Sequence, residues 1–449
     1  MVLLPQAWLK RMEAQLRDEM PAFLNAMEQA PLRGIRMNPR KLLPGILEWE
    51  DLKGVIPWEK HGRYLSADSQ AGVTVWHEAG VFYLQEPSAM IPGAVMDVKP
   101  GETVLDLCAA PGGKATQMGA ALEGKGLLVA NEPVEKRARI LSRNIERLGL
   151  PNAIVTCARP EQLAEKWPER FDAVMVDVPC SGEGMFRRDP AAREEWTAEN
   201  AAGCVRRQRE ILSAAARMVK PGGRLVYSTC TYNPAENEEM VLWFLEAFPE
   251  FERSPFQLIG ADGREGWFTA YPHRVGGEGQ FAALMIRRGS RETGGDFVPD
   301  LPHAEKKSRE IWAQAFPGMP EATHQFGNTL IHLEMSPPLQ GIRVLRAGLH
   351  LGELRGRIPI PDHAAAVGFP GVLEKRCEVT EAEAAKYLAG ETLERPEEGW
   401  VLIQLHGVAL GWAKGSGGTL RNHYPKGLRN HRILCELPIP SCQKTEKEI

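Results

Sequence analysis

Residues 103–119, TVLDLCAAPGGKATQMG, decide the fold. Residues 103–107 form a short run rich in β-forming side chains, residues 108–114 form a small loop with proline and glycine, and residues 115–122 have helical character. A strand, a tight loop and a helix in this order let backbone N–H groups approach a ligand at the head of a parallel strand. The stretch therefore predicts an α/β protein with a ligand site after this strand.

The composition of the loop narrows the kind of ligand. Its glycines stand together at its end, so the spaced fingerprint G-x-G-x-x-G of dinucleotide sites is absent. Glu132 ends the next apolar run, GLLVANE, where an acid would bind the two hydroxyls of a ribose. We therefore predict an adenosine-type cofactor without pyrophosphate, S-adenosylmethionine (SAM), although similar loops bind other ligands in other α/β proteins. The candidate loop residues are Cys108, Ala109, Ala110, Pro111, Gly112, Gly113 and Lys114.

Two cysteines follow two later strands. Residues 171–184, FDAVMVDVPCSGEG, contain a buried strand that ends at Asp177 and is followed by Cys180. Residues 223–239, GRLVYSTCTYNPAENEE, contain another strand, which is followed by Cys230. Because the carboxyl ends of parallel strands lie on one edge of a sheet, we expect both cysteines to face one pocket with Asp106 and Glu132.

These stretches resemble a known family. DLCAAPGGKA, DVPCSGEG, STCTYNPAENE and YPHRVGGEGQFAA resemble, in order and spacing, the cofactor loop, the Pro-Cys motif, the Thr-Cys motif and the Pro-His motif of the Nop/Sun family of RNA cytosine-5 methyltransferases. The upstream stretches LRGIRMNPRKL and YLQEPSAM are similar as well. The resemblance covers nearly the whole chain and is greatest to the type that acts on 16S ribosomal RNA. It implies a Rossmann-like SAM-dependent methyltransferase core with a small N-terminal α+β domain and C-terminal α+β and PUA-like domains.

The chemistry of that family explains why it needs cysteine. Carbon 5 of cytosine is too weak a nucleophile to attack a sulfonium methyl group directly. Addition of a thiolate at carbon 6 makes the ring enamine-like, so that one difficult step becomes two easier ones. An ordinary thiol, with a pKa of about 8.5, is only slightly ionised at neutral pH, so the pocket must favour the thiolate or supply a base.

The resemblance implies a role for each candidate residue. It assigns the attack to Cys230, and it assigns release to Cys180, acting as a base itself or through water. Asp177 would donate a hydrogen bond to ring nitrogen 3, for which it must be protonated, or it would orient the amino group of the cofactor. Lys114 is expected near the methionine part of SAM, and Arg137 near the cofactor. The sequence leaves both roles of Asp177 open.

The sequence departs from the family pattern at two places. After the third strand, TCARPEQL has Arg159 and Pro160 where the family usually has an acid that holds the adenine amino group. The adenine contact then falls to backbone groups or to Glu161. In the Pro-His motif, Gln280 stands where an aromatic residue is common, and His273 remains. We expect the loop of this motif to shape the RNA side of the pocket.

The length of 449 residues exceeds what one core usually holds, so several domains are expected. Residues 30–47 and 401–435 contain lysine and arginine but no acid, which indicates either RNA-contacting patches or solvated positive faces. We predict an N-terminal RNA-contacting domain at 1–90, a catalytic domain at 91–288, a linker at 289–303, a first C-terminal domain at 304–370 and a PUA-like RNA-binding domain at 371–449.

Composition limits the remaining possibilities. The formal net charge of -4 argues against a general polyanion binder, so RNA would be bound by local patches. No apolar run approaches the roughly 20 residues of a membrane span, and residues 1–20 alternate like an amphipathic helix. We expect a cytosolic monomer without metal or disulfides, because the eight cysteines form no C-x-x-C pair. Ribosomal RNA is the expected partner; the rivals are transfer RNA as substrate and a non-catalytic ribosome-assembly factor.

Overall fold

The structure, a computed structural model, describes residues 4–41, 45–290, 297, 299–369 and 374–433. About half of the predicted linker at 289–303 and the last two cysteines, Cys435 and Cys442, lie outside the described residues. Within that linker, the described Phe297 is buried, and its ring packs 5.8 Å from the ring of Phe171 in the core.

The N-terminal part combines two helices with a small antiparallel sheet. Its elements are α1 (Gln6–Leu16), α2 (Met20–Glu28), β1 (Arg33–Met37), β2 (Leu52–Val55), β3 (Gly62–Leu65), α3 (Val75–Glu78) and β4 (Phe82–Leu84). The strands pair in the order β2-β3-β1-β4. Helix α1 buries Trp8, Met12 and Leu16, whose spacing of four residues places them on one face.

An alternating α/β unit follows. Its elements are α4 (Ile91–Met96), β5 (Thr103–Asp106), α5 (Gly113–Ala121), β6 (Leu127–Asn131), α6 (Glu135–Arg147), β7 (Ala153–Thr156), α7 (Pro160–Lys166), β8 (Phe171–Asp177), α8 (Pro190–Glu194), α9 (Ala198–Met218), β9 (Val219–Thr229), α10 (Glu238–Ala247), β10 (Phe251–Arg253), β11 (Phe256–Leu258), β12 (Ala261–Gly263), β13 (Trp267–Ala270) and β14 (Gln280–Arg287). Strands β5 and β6 are buried along their whole length, as expected for parallel strands with helices on both faces.

The order of the strands locates the ligand crevice. The sheet runs β10-β14-β9-β8-β5-β6-β7, with β9, β8, β5, β6 and β7 parallel and β14 antiparallel to β9. The chain moves from β5 to β6 and β7 on one side, and then returns to β8 and β9 on the other. Open α/β sheets bind ligands at the carboxyl ends of the strands beside such a reversal. Asp106 and Asp177, which end β5 and β8, lie at that place.

The first C-terminal part extends this sheet. Its elements are α11 (Lys306–Ala315), β15 (His324–Phe326), β16 (Thr329–His332), β17 (Val344–Ala347), β18 (Leu349–Arg355), β19 (Ile358–Pro361) and α12 (His363–Gly368). Strands β15, β16, β18 and β19 form their own antiparallel sheet, whereas β17 pairs antiparallel with β7 at the edge of the central sheet. This pairing was not predicted from the sequence, because the residues of a four-residue strand do not indicate which sheet the strand joins.

The last part packs against the first. Its elements are β20 (Arg376–Glu378), α13 (Glu381–Ala389), β21 (Leu393–Glu394), β22 (Gly399–Leu405), β23 (Val408–Ser416) and β24 (Thr419–Asn422), with strand order β20-β22-β23-β24-β21. Phe82 of β4 and Tyr387 of α13 belong to one apolar cluster. The rings of Trp76 and His406 stack with centroids 5.8 Å apart. The two ends of the chain therefore share a core.

Glu146 on α6 links three parts of the molecule. Its carboxylate accepts hydrogen bonds from Arg346 of β17 and from Nδ1 of His363 on α12, the latter at 2.7 Å. Nε2 of His363 lies 3.2 Å from the carbonyl oxygen of Leu410 on β23. Burial alone would raise the pKa of Glu146, but the hydrogen bond from His363 and the charge of Arg346 lower that pKa to about 2. The charged carboxylate thus holds the C-terminal parts to α6.

We expect Glu146→Ala to lower the free energy of unfolding at pH 7 by about 3 kcal/mol, because Arg346 is left buried without its carboxylate. The control is Arg139→Ala on the same helix, which removes a pair with Glu135 whose side chains are 64% and 38% exposed, and should change little. Urea denaturation measures both variants, and equal losses would contradict the assignment.

The same contact predicts a pH dependence. Because the pKa of Glu146 is lower in the folded protein than its ordinary value of 4.5, its contribution is present above about pH 4.5 and is lost as the pH falls toward 2. The difference between wild type and Glu146→Ala should therefore shrink at pH 3.

Candidate active site

The loop between β5 and α5 is fixed from two sides. Helix α5 begins after Gly112, whose φ of 118° lies in the region that favours glycine. Below the loop, Nδ2 of Asn131 donates to the carbonyl oxygens of Leu107 and Ala158 at 3.1 and 3.0 Å. From the N-terminal sheet, the buried Arg36 donates to the carbonyl oxygen of Gly113 at 3.1 Å. The loop is therefore held rigidly at the head of β5.

A cavity of about 200 Å³ opens beside this loop. Residues 108–111, Gly113 and Lys114 line it, together with Asp106 and Asp177. Residues 83–86 of the N-terminal part form another wall, which the sequence stretch YLQEPSAM signals only through the resemblance. A larger cavity of about 770 Å³ lies between residues 300 and 350 and is lined by none of the predicted site residues. The smaller cavity is therefore the candidate cofactor site.

Asp106 leaves unused hydrogen-bonding capacity in this cavity. Both oxygens of its carboxyl group are buried and have no hydrogen-bond partner of good geometry among the described residues, although the backbone amide of Cys108 lies near enough to lower the pKa of Asp106 somewhat. Burial, followed by repulsion from Asp177, raises the pKa of Asp106 to about 8. A ligand that brings a cation or hydrogen-bond donors would satisfy this group.

Asp177 is surrounded by donors. Nζ of Lys114 donates to Oδ2 of Asp177 at 2.9 Å, and the hydroxyl of Ser228 donates to Oδ1 at 2.8 Å. Nε2 of Gln280 donates to Ser228 at 2.5 Å and lies 3.5 Å from Oδ1 of Asp177. Burial alone would lower the pKa of Lys114, but the charge and hydrogen bond of Asp177 raise it. This arrangement accommodates an ionised carboxylate, and the departure at Gln280 adds a donor to it.

Glu132 and Arg137 form a pair behind the loop. Glu132 is fully buried and accepts from the amide of Val134 at 2.9 Å and from Nη1 of Arg137 at 2.9 Å. Nη2 of Arg137 donates to the carbonyl oxygen of Ala110 at 3.0 Å. Neither Glu132 nor Arg137 lines the 200 Å³ cavity. A ribose at Glu132 would share the carboxylate with Arg137.

Where the family usually has an acid that binds adenine, this chain has residues that lie at the start of helix α7. Arg159 is the N-cap of α7, and Glu161 is exposed in its first turn. The carbonyl oxygen of Ala158, just before them, already accepts from Asn131.

The two cysteines meet. The Sγ atoms of Cys180 and Cys230 are 3.2 Å apart, and the backbone N–H of Cys230 donates to Sγ of Cys180 at 3.3 Å. The hydrogen bond to Cys230, burial and the negative charge of Glu236 raise the pKa of Cys180 well above its usual value. Cys180 is therefore a neutral thiol at physiological pH.

A glycine allows the three motif loops to approach each other. The backbone N–H of Gly184, in the Pro-Cys motif, donates to the carbonyl oxygen of Cys230 at 2.8 Å. A Cβ atom at Gly184 would lie 2.7 Å from the carbonyl oxygen of Gly279 in the Pro-His motif and 2.9 Å from that of Cys230. A larger residue at this position would push the loops apart.

The N-terminal helices hold the same loops. Nη2 of Arg11 donates to Glu183 at 2.5 Å, and Nε2 of Gln15 donates to the hydroxyl of Tyr271 at 2.6 Å. Glu19 accepts from Arg274 at 2.6 and 2.7 Å and lies 2.9 Å from Nε2 of His273. The sequence predicted RNA contact from this part, but it did not predict these contacts with the loops of the Pro-Cys and Pro-His motifs. Local sequence patterns do not identify hydrogen-bond partners that lie more than 150 residues away in the chain.

Family models match most of the chain. The model described as "16S rRNA methyltransferase RsmB/F" matches residues 93–286. The model for the N-terminal domain of 16S rRNA methyltransferase RsmF matches residues 4–87, and the model for the methyltransferase RsmF PUA domain matches residues 374–430.

Individual proteins are similar over comparable lengths. Ribosomal RNA small subunit methyltransferase F of Klebsiella pneumoniae (strain 342) is 32% identical over 95% of this chain and 97% of its own length. The protein of the same name from Cronobacter sakazakii is 30% identical over 98% and 99%. A solved methyltransferase homolog from Pyrococcus horikoshii is 29% identical, with a TM-score of 0.53 over 60% of this chain and 91% of that chain. NSun6 of the same organism, solved with SFG, has a similar fold at 21% identity and a TM-score of 0.55, over 64% of this chain and 99% of that one.

Among the residues that the structure describes, no helix is both long and apolar enough to cross a membrane. Within the same residues, no group of three or more His, Cys, Asp or Glu side chains could hold a metal ion.

Asp106→Asn should stabilise the ligand-free protein more at pH 8 than at pH 5. The pKa of Asp106 is raised to about 8 in the folded protein, so the wild type loses stability as the pH rises from about 4 to 8, whereas asparagine stays neutral. We expect the gain from the variant to grow by about 2 kcal/mol or more over this range. Thermal unfolding at pH 5, 6.5 and 8 measures it.

The matched control for this measurement is Asp97→Asn. Asp97 is an exposed acid that pairs with Lys99, and its side chain is 71% exposed. Its substitution should have a small effect that hardly varies over this pH range. A pH-independent difference for Asp106→Asn as well would show that Asp106 is an ordinary ionised acid.

Proposed function

The chain belongs to the RsmB/F family of 16S ribosomal RNA methyltransferases, and on that premise we propose that it transfers a methyl group from SAM to carbon 5 of a cytosine in 16S ribosomal RNA. Membership confirms the predicted resemblance, and the matched fold confirms the Rossmann-like core with N-terminal and PUA-like domains. The observation that carries the proposed chemistry is the pair of thiols 3.2 Å apart at the carboxyl edge of the sheet.

The residues of the 200 Å³ cavity fit SAM. Its ammonium and sulfonium groups are positive, and the wall of the cavity carries the unpartnered carboxyl oxygens of Asp106 beside Asp177. Asp106 would hold the ammonium group, the small loop at residues 108–113 would place its backbone along the ligand, and Glu132 would bind the ribose. When bound, SAM supplies an electrophilic methyl group to carbon 5.

Cys230 is the nucleophile in this proposal. The raised pKa of Cys180 keeps that residue a thiol, and its S–H can donate to the sulfur of Cys230. The charge of Cys230 is also one cause of the raised pKa of Lys114, which keeps the ammonium of Lys114 charged near this site. The thiolate forms a bond to carbon 6, and the electrons of the ring double bond move to carbon 5 and toward nitrogen 3.

We assign stabilisation of this negative charge to Lys114. A hydrogen bond from Asp177 to nitrogen 3 would require a carboxyl oxygen that is free to carry a proton, but Lys114 donates to Oδ2 of Asp177 and Ser228 donates to Oδ1. Asp177 instead aligns the ammonium of Lys114 at the pocket, where its positive charge opposes the charge that develops on the base.

Cys180 acts at release. Once Cys230 is bonded to carbon 6 it no longer carries a negative charge, and Cys180 gives its proton to water. After methylation, the Cys180 thiolate takes the proton from carbon 5, directly or through a water molecule, and the electrons of that carbon–hydrogen bond re-form the ring double bond. The bond between carbon 6 and Cys230 breaks, and Cys230 leaves as a thiolate. A base outside a duplex stack is required for both thiols to reach it, so the cytosine must be flipped or single-stranded.

Methyl transfer from tritiated SAM identifies the substrate. We expect label in 16S ribosomal RNA, offered either naked or in assembled small subunits, and none in transfer RNA. Label in transfer RNA alone would show that the substrate is wrong. No label in any of the three would leave the non-catalytic assembly factor, although two thiols in one pocket argue against it.

Single cysteine variants test the division of labour. Cys180→Ala should accumulate a denaturant-resistant adduct between protein and RNA, because attack proceeds while release is blocked. Cys230→Ala should form no adduct and should lose methyl transfer by at least about 1,000-fold. Denaturing gels with labelled RNA separate the two outcomes. The opposite pattern would mean that the roles are exchanged, and Cys204→Ala on α9 serves as the cysteine control.

A further inference from the structure

Glu236 lies six residues after Cys230 and is fully buried, yet the proposed mechanism does not use it. Its Oε1 accepts from the hydroxyl of Ser181 at 2.5 Å and from Nδ2 of Asn233 at 3.0 Å. Its Oε2 accepts from the backbone N–H of Ser181 at 2.9 Å and from Nε2 of Gln208 at 2.8 Å. All four donors are uncharged. Burying a carboxylate among neutral donors costs free energy, so a charged residue at this position requires an explanation.

The donors belong to the loops that carry the two thiols. Ser181 directly follows Cys180, and its hydroxyl lies 2.8 Å from the hydroxyl of Thr231, which directly follows Cys230. Gln208 of α9 also donates to the carbonyl oxygen of Pro179, just before Cys180, at 3.1 Å. Glu236 therefore contacts the Cys180 loop directly at Ser181 and, through Gln208, at Pro179. It is itself part of the segment that follows Cys230.

The two thiols have different charged neighbours. Cys180 is bracketed by groups that touch the Glu236 carboxylate, and the charge of Glu236 is one cause, after the hydrogen bond to Cys230, burial and the charge of Cys230, of the raised pKa of Cys180. The charge of Cys230 is in turn one cause of the raised pKa of Lys114. Cys180 therefore has an anion among its neighbours, and Cys230 interacts with a cation.

We propose that Glu236 is a positioning residue that fixes the Cys180 loop against the Cys230 loop and whose charge makes the two thiols unequal. Cys230 then ionises and attacks, and Cys180 remains a thiol until release. The roles of attack and release rest on the proposed function. The inequality of the thiols is a property of the protein alone and is measured without RNA.

An amide cannot replace this carboxylate. Each oxygen of Glu236 accepts two hydrogen bonds, so the NH₂ group of a glutamine would face two donors whichever way the amide is turned. Glu236→Gln therefore removes the charge and also loosens the contact, while Asn233→Ala removes one of the four hydrogen bonds and keeps the charge. This pair of variants separates the two contributions.

Alkylation of the RNA-free protein by iodoacetamide between pH 6 and 10 reports each thiol separately. Trypsin leaves Cys180 and Cys230 in different fragments, residues 171–187 and 225–253, which mass spectrometry quantifies. In the wild type we expect Cys230 to react at lower pH than Cys180. Glu236→Gln should lower the pH midpoint of Cys180 by about one unit and narrow this difference. An unchanged difference overturns the proposal.

Two further variants test whether Glu236 has only a structural role. Asn233→Ala should leave the difference between the two midpoints as in the wild type, and a shift as large as that of Glu236→Gln would overturn the proposal. If circular dichroism shows that Glu236→Gln does not fold, Ser181→Ala tests the loop contact. It removes the hydroxyl shared with Glu236 and Thr231 and preserves the charge.

Turnover with 16S ribosomal RNA and SAM measures how well Glu236 positions the Cys180 loop for release. Glu236→Gln and Ser181→Ala should lower kcat about 10- to 100-fold, raise the fraction of protein in covalent adduct and leave KM for SAM unchanged, because attack continues while release is misaligned. Wild-type turnover in either variant overturns the positioning role. If the wild-type protein methylates no RNA, the proposed function fails, and the alkylation series still decides whether Glu236 separates the thiols.

Discussion

The site depends on the contact between the loops that follow β8 and β9. Neighbouring parallel strands bring their ends to roughly 5 Å, but only direct contacts between the loops place two sulfurs 3.2 Å apart. The amide of Gly184 bonds to the carbonyl of Cys230, Ser181 bonds to Thr231, and the buried Glu236 binds Ser181. In the proposed mechanism these two thiols act on one base at two different steps, and hydrogen bonds between backbone groups and polar side chains hold them in place.

The N-terminal part also contacts the candidate site. Residues 83–86 line the candidate cofactor cavity, Arg36 bonds to the loop after β5, and Arg11 bonds to Glu183 in the Pro-Cys motif. The C-terminal parts add β17 to the sheet and share a core with the N-terminal sheet. The N-terminal and C-terminal parts thus contact each other beside the central sheet. If these flanking parts bind RNA, they would also support the loops that act on the RNA.

Much of the site could be predicted because its signals are local. The strand, loop and helix of residues 103–122 are formed by consecutive residues, and the two Cys motifs each follow an apolar strand. The meeting of Cys180 and Cys230 followed from the rule that parallel strands end on one edge. The partners of Asp177 could not be predicted in the same way, because Ser228 and Gln280 reach it from two other strands.

Consecutive residues were enough to predict the α/β core, the loop after β5 and the two cysteines that would lie side by side, since periodicity and strand-end position need no knowledge of distant residues. The surroundings of the two acids at this edge depend on the folded structure. Burial raises the pKa of Asp106, whereas Asp177 accepts hydrogen bonds from Lys114 and Ser228. Both residues end an apolar strand and look alike in the sequence. Their difference arises from burial and from partners that folding brings together, and these two quantities set the free energy of a charge.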